Sequence, residues 1–130
     1  MTTAMLPTSP PQLIERFGEA LNHGDLDAIM ALYEPEAAFK VEPGRVVHGH
    51  AAIHDALAGL LTLQPRISSR VIETVEAGDI ALVAVIWELA GRQPDGEPVS
   101  MAGRSADVLR RQPDGYWKIR IDDPWGPPGA

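Results

Sequence analysis

The stretch RISSRVIETVEAGDIALVAVIWELAGRQPDGEPVSMAGRSADVLRRQPDGYWKIRID, residues 66–122, decides the architecture of this chain. Arg66 to Val75 and Ile80 to Leu89 are rich in isoleucine and valine, which fit a pleated, half-buried surface. Glu76-Ala77-Gly78-Asp79 between them reads as a turn. Gln-Pro-Asp-Gly then occurs twice, at 93–96 and 112–115, with proline at the second turn position and glycine at the fourth. These turns bound Pro98 to Arg111 and Tyr116 to Asp122, so the spacing predicts an antiparallel meander of four strands. Ile80 to Trp87 is apolar on both faces, as strands covered on both sides are.

Upstream the apolar period changes from two to 3.6. Ser9 can cap a helix that begins at Pro10, with Gln12 three residues after the cap. Leu13, Ile14, Phe17 and Leu21 give that helix, Pro10 to Asn22, one apolar face. His23-Gly24 ends it. Asp25 caps a second, shorter helix through Leu26, Ile29, Met30, Leu32 and Tyr33, closed by Glu34-Pro35. Ala37 to Glu42 and Arg45 to His48 read as a hairpin around Pro43-Gly44, and Ile53, Leu57, Leu60 and Leu61 return to helical spacing over His50 to Leu63. Helices first and meander last is the α+β arrangement.

With 130 residues, 45% hydrophobic and 22% charged, the chain reads as a single domain over residues 10–125. Residues 1–9 form an N-terminal arm, and 126–130 form a Pro/Gly-rich tail expected to be flexible. Cysteine is absent, which removes zinc fingers, iron–sulfur sites, thiol catalysis and disulfides. A formal charge of −7 argues against nucleic acid as a partner, because such binding neutralises phosphates with lysine and arginine. The longest apolar run, Ile80 to Trp87, is far shorter than the roughly 18 residues of a spanning helix, so no membrane partner is expected. Met1 to Pro11 lacks a basic region followed by an apolar stretch, and a cytoplasmic location is the expectation. Neither a phosphate-cradling glycine loop, a G-x-S-x-G elbow nor a Rossmann fingerprint is present, so no cofactor is implied.

Phe17-Gly18-Glu19-Ala20-Leu21-Asn22-His23-Gly24-Asp25-Leu26-Asp27-Ala28 resembles the first two helices of SnoaL-like polyketide cyclases and ketosteroid isomerases, with their N-x-G-D-L-D junction. His48-Gly49-His50-Ala51-Ala52-Ile53 resembles the G-x-x-A-I start of the third helix in that family. Asp114-Gly115-Tyr116-Trp117-Lys118-Ile119 followed by Asp122 is similar to its D-G-x-W-x-I-x-x-D ending. Over residues 10–125 the chain thus resembles the nuclear-transport-factor-2-like (cystatin-like cone) superfamily. The resemblance implies a curved antiparallel sheet forming a cone, with three N-terminal helices packed on the concave face. It also implies a pocket for a small apolar molecule and a homodimer through the convex sheet face, which would cover the outer side of Ile80 to Trp87.

Asp107 is the leading candidate for chemistry. In a regular strand it shares a face with Val99, Met101, Gly103, Ser105 and Leu109. Desolvation there would raise its pKa and suit it to donate or share a proton; the alternative is a strand aspartate paired with Arg104, Arg110 or Arg120. By resemblance its place matches an acid of ketosteroid isomerases and limonene epoxide hydrolases, and Asp122 matches the second aspartate of the latter. Parity sets Asp122 against Trp117 and Ile119, leaving three possibilities: a pocket on the mixed face, a bulge that shifts the register, or an Asp122 that ties down the Pro124-Trp125 turn. Phe17 stands where the isomerases carry a tyrosine, Val41 where they carry a base, and Ser105 near the epoxide hydrolases' arginine, so steroid isomerisation and that triad are not expected. Tyr33, Phe39, Trp87, Met101 and Trp117 are candidate walls for a flat apolar ligand. His48, His50 and His54 lack an acidic or thiol ligand nearby except Asp55, so metal is not expected; His48 remains a general-base candidate at the pocket mouth. Two functions stay open: a cofactor-independent acid–base enzyme of isomerase, cyclase or epoxide-hydrolase type, and a non-catalytic dimeric ligand-binding or association module.

Overall fold

In a computed structural model describing residues 6–127, α1 (Pro10–Asn22) and α2 (Leu26–Met30) precede a hairpin of β1 (Tyr33–Glu42) and β2 (Arg45–His48). Then come α3 (His50–Leu61), β3 (Arg66–Ala77), β4 (Ile80–Arg92), β5 (Pro98–Arg111) and β6 (Trp117–Asp122). The strands form one curved, unclosed sheet in the order β2-β1-β6-β5-β4-β3, giving an α+β cone. β3 to β6 make the expected antiparallel meander. The sheet is mostly rather than wholly antiparallel, because β6 returns beside β1 in parallel. Parallel neighbours need a long crossover, and everything from β2 to β5 serves as one.

Ser9 caps α1, its Oγ accepting the Gln12 N–H at 3.3 Å, while Gln12 Oε1 reaches back to the Thr8 N–H at 2.7 Å. At the other end Asn22 donates to the Ile67 carbonyl at 3.0 Å and accepts the Ile67 N–H at 2.7 Å. Its amide thereby extends the hydrogen bonding of β3 and fixes the helix to the sheet. α2 is shorter than its apolar spacing suggests: Tyr33, expected near its end, opens β1 instead. The Leu32 carbonyl accepts the Ile119 N–H at 2.7 Å, which draws the backbone into the sheet. Pro35 falls where the β1–β6 register shifts, between Tyr33 and Ala38, a place where a missing N–H breaks no ladder.

β4 carries the core. Ala81, Val83, Val85, Trp87 and Leu89 face inward onto Leu13 and Leu21 of α1, Ile29 of α2, and Ile53 and Leu57 of α3. The outer side of the same strand presents Ile80, Leu82 and Ile86 to solvent. Cross-strand register aligns Val75, Leu82, Val108 and Ile121 in one row over β3 to β6. Val75, Leu82 and Ile121 in that row are 51%, 48% and 43% exposed.

Of the arm, residues 1–5 lie outside the described residues, as do 128–130 of the tail. Pro7 is buried, and its carbonyl accepts the Trp117 N–H at 3.0 Å. Gly126, assigned to the flexible tail on sequence, is buried and hydrogen-bonded to Asp123 and Lys40. Among the described residues no helix is long and apolar enough to cross a membrane.

Candidate functional site

Between α1, α3 and the concave face lies a partly open cavity of about 150 Å³. An apolar cavity of about that size accepts a benzene-sized molecule. Ile14, Phe17 and Leu21 line it from α1, Leu57 and Leu60 from α3, and Phe39 and Val41 from β1. Val85, Trp87, Leu89 and Met101 line it from β4 and β5, and Pro124 and Trp125 from the segment after β6. The polar side chains on this wall are Ser69, Ser105, Asp107 and Asp122, and no cation is among them.

Asp107 projects inward because β5 alternates without interruption, burying Ser105, Asp107 and Leu109 in turn. Asp122 reaches the same place by a bulge. Leu109 pairs with Ile119 and Val108 with Ile121, so Arg120 is an extra residue in β6. The extra residue turns Ile121 to the convex side and brings Asp122 opposite Asp107. Of the three possibilities left by parity, the shifted register is the one found.

The two carboxyls are 7% and 8% exposed and hydrogen-bonded to each other. Asp107 Oδ1 accepts the Asp123 backbone N–H at 2.9 Å, and its Oδ2 accepts the Ser105 hydroxyl at 3.2 Å. Asp122 Oδ2 accepts the hydroxyl of Tyr33. Burial above all, and then the charge of Asp122, push the Asp107 carboxyl well above the ordinary carboxylate range, although the Asp123 N–H and Ser105 favour its ionised form. Burial also raises Asp122, but the Tyr33 hydroxyl and the Asp107 hydrogen bond draw it back. Burial thus raises both carboxyls, and the pair holds a proton above the ordinary carboxylate range. Tyr33, raised by burial and by the facing Asp122, stays a neutral donor. Asp107 has none of the arginine partners considered for it on sequence: Arg110 and Arg120 bind Glu34.

A sequence profile described as a SnoaL-like domain matches residues 14–120. The chain belongs to the SnoaL-like family. Among curated proteins none matches the sequence. Similar solved structures include a point variant of Rv3472 from Mycobacterium tuberculosis, a protein of unknown function, at 22% identity and TM-score 0.73 over 86% of this chain. The match spans 66% of that protein's length, just under two thirds. A ketosteroid isomerase-like protein from Erwinia carotovora atroseptica matches at 19% identity and TM-score 0.76 over 86% of this chain and 88% of the other. A conserved protein from Planctomyces limnophilus matches at 18% and 0.77, again over 86% and 88%. At these identities the likeness is one of fold, the nuclear-transport-factor-2-like cone.

On this SnoaL-like scaffold Phe17, Phe39, Val41, Trp87, Met101 and Ser105 line the cavity together with Asp107 and Asp122. Three residues expected there do not. Tyr33 stands behind Asp122 as its hydrogen-bond donor, packed edge-on to Phe17 at 6.3 Å between ring centroids. Trp117 is buried at the far end of β6, its ring under the Arg111 guanidinium. His48 is exposed on the edge strand β2 and is not among the residues that line the cavity. His50 instead hydrogen-bonds the Tyr33 carbonyl at 2.9 Å. Among the described residues no three His, Asp or Glu side chains gather as a metal site needs. Sequence reading missed Pro124 and Trp125 as cavity walls, and alternation along β6 left open whether Asp122 or Asp123 faces the pocket; it is Asp122 that lines it. Gly103 was the available signal: a Cβ there would lie 2.9 Å from Trp87 and 3.0 Å from the Pro124 carbonyl, so its lack of a side chain marks a segment seated on β5.

Proposed function

We propose that this protein is a cofactor-independent acid–base enzyme of isomerase, cyclase or epoxide-hydrolase type, acting on a small, apolar, uncharged molecule with one oxygen acceptor. The observation that carries this reading is a buried, hydrogen-bonded carboxyl pair forming the polar end of an apolar cavity whose wall holds no cation; in this reading Asp107 holds the proton of the pair and Asp122 is ionised. A wall of this kind disfavours anions and leaves a single polar group to be recognised. Asp107 gives its proton to a carbonyl or epoxide oxygen. Asp122 takes a proton from the carbon next to the carbonyl, or from the water attacking the epoxide. The pair then holds the same single proton as before, only exchanged between its members, and a second transfer restores the start.

The test is turnover of a panel of monocyclic ketones and epoxides by the wild type and by Asp107→Asn. Loss of general acid catalysis lowers the rate by about 10²–10⁴-fold. An unchanged rate on any substrate so found would refute the assignment.

A non-catalytic dimeric ligand-binding or association module is the second reading, favoured by the uncovered apolar row on the convex side. Apolar patches of this extent mark protein contacts, and two copies of the row would cover each other. Cavity binding without turnover, together with a dimer in solution, would select it.

A further inference from the structure

After Asp122 the chain turns across β5, and each of its next four residues is tied down. The Asp123 carbonyl accepts the Ala106 N–H at 2.9 Å, and the Pro124 carbonyl accepts the Trp87 indole N–H at 2.8 Å. The Trp125 indole N–H reaches the Val41 carbonyl at 3.3 Å, and the Gly126 N–H donates to Asp123 Oδ1 at 3.0 Å. One side chain from outside gathers these. Lys40 Nζ on β1 lies 3.1 Å and 3.2 Å from the two Asp123 carboxylate oxygens and 3.2 Å from the Gly126 carbonyl. On the opposite side the segment rests on Gly103, whose missing Cβ leaves room for Trp87 and Pro124.

We propose that Lys40 is a positioning residue for the Asp107–Asp122 pair: it holds the Asp123–Gly126 segment where the Asp123 N–H meets Asp107 and where Pro124 and Trp125 wall the cavity. The proposal rests on the reading of that pair as the reacting groups. Lys40 does two things through Asp123. It fixes the N–H that bonds the ionised form of Asp107, and it neutralises a carboxylate one residue from Asp122. The other groups facing the pair are the neutral Tyr33 hydroxyl of β1 and Ser105 of β5, while His50 of α3 bonds the Tyr33 backbone carbonyl rather than its hydroxyl. The cavity-lining residues of α1, α3, β3 and β4 bring no ionisable group. Loss of Lys40 therefore moves the pair in one direction. Asp107 loses a donor, and Asp122 feels an uncompensated charge, so both hold their protons to higher pH.

The experiment uses the full chain labelled with ¹³C-carboxyl aspartate and 5-fluorotryptophan. Lys40→Met raises the Asp107 titration midpoint by about one pH unit, a tenfold change in its protonation equilibrium. It also shifts the fluorine resonances of Trp87 and Trp125 while that of Trp117 stays. Lys40→Arg restores both. Gly103→Ala displaces the segment from the other side without altering any charge, and moves the midpoint the same way even if Lys40→Met does not fold. A folded Lys40→Met with an unmoved midpoint, or a Gly103→Ala that shifts both tryptophans but not Asp107, overturns the proposal. None of these readouts needs turnover. A moved midpoint without activity on any substrate upholds the positioning and removes the catalytic reading; an unmoved midpoint with activity does the reverse.

Discussion

Replacing Asp107 by asparagine changes how the stability of this protein depends on pH. In the unfolded chain an aspartate titrates near 3.9, as a rough reference. In the fold, burial and the neighbouring Asp122 hold the Asp107 proton well above that. Between the two values the native state binds one more proton than the unfolded state. The free energy of unfolding then falls by up to about 1.4 kcal/mol for each pH unit. The stabilising term is complete below the unfolded pKa and is lost as pH rises through the native one. Asparagine is close to isosteric, keeps an oxygen for the Asp123 N–H and offers its amide to Asp122, but it does not titrate. Wild type minus variant thus declines with pH from about pH 4 and levels off above the native pKa, a slope of roughly 4–5 °C in Tm per pH unit for a domain of this size. Urea unfolding by tryptophan fluorescence at half-unit steps, from about pH 4.5 to 8.5, supplies the two curves. Parallel curves, or a wild type that gains on the variant as pH rises, would refute the buried, proton-holding Asp107.

Other perturbations probe the rest of the fold. Glu34 is 2% exposed; burial alone raises its carboxyl, but hydrogen bonds from Arg110 and Gln112 and the charges of Arg110 and Arg120 outweigh that and hold it below its usual range. Its contribution is present above about pH 4.3 and lost as pH falls through the native value, so Glu34→Gln flattens the acid limb of an unfolding curve taken from about pH 2 to 5. Asn22→Ala removes both hydrogen bonds to Ile67 and costs about 1–3 kcal/mol in urea unfolding; a loss below about 0.3 kcal/mol would show that the helix does not need this tie. Leu82→Glu puts a charge in the exposed convex row and would convert the dimer of the second proposed reading to a monomer by light scattering; a wild type already monomeric at about 100 μM removes that dimer.

What the sequence revealed and concealed divides along one physical line. Local periodicity and turn chemistry are written into neighbouring residues, so the starts of β3 and β4, both ends of β5, the Ser9 cap and the inward face of β5 with Asp107 were legible, while β3 and β4 run on past Val75 and Leu89 to Ala77 and Arg92. Register slips are settled by partners distant in sequence. The extra residue at Arg120 appears only when β6 is laid against β5, and without it alternation sends Asp122 to the wrong side. Tyr33 fits the apolar spacing of α2, and only the pull of Ile119 on the Leu32 carbonyl makes it a strand residue. His48 and Trp117 were assigned to the cavity by residue type, whereas β2 is an exposed edge and the start of β6 lies beyond the cavity.

Those two slips are one structural device. β1 shifts its register just after Tyr33, and β6 shifts at Arg120 on the adjacent strand. Both of the consecutive residues Tyr33 and Glu34 are buried as a result, with different partners. The Tyr33 hydroxyl supports Asp122. Glu34 receives Arg120, the residue extruded by the β6 bulge, at 3.3 Å, and a two-pronged contact from Arg110 at 2.6 and 2.8 Å. A bulge leaves one residue of its strand without a ladder partner, and here the guanidinium of that residue finds a carboxylate supplied by the neighbouring slip. The inward turn of Asp122 and the outward capture of Arg120 are therefore the same displacement seen from the two sides of the sheet. The carboxyl pair depends on residues that never touch the cavity, which is why a search for acids at fixed spacing finds Asp107 readily and Asp122 only through its partners.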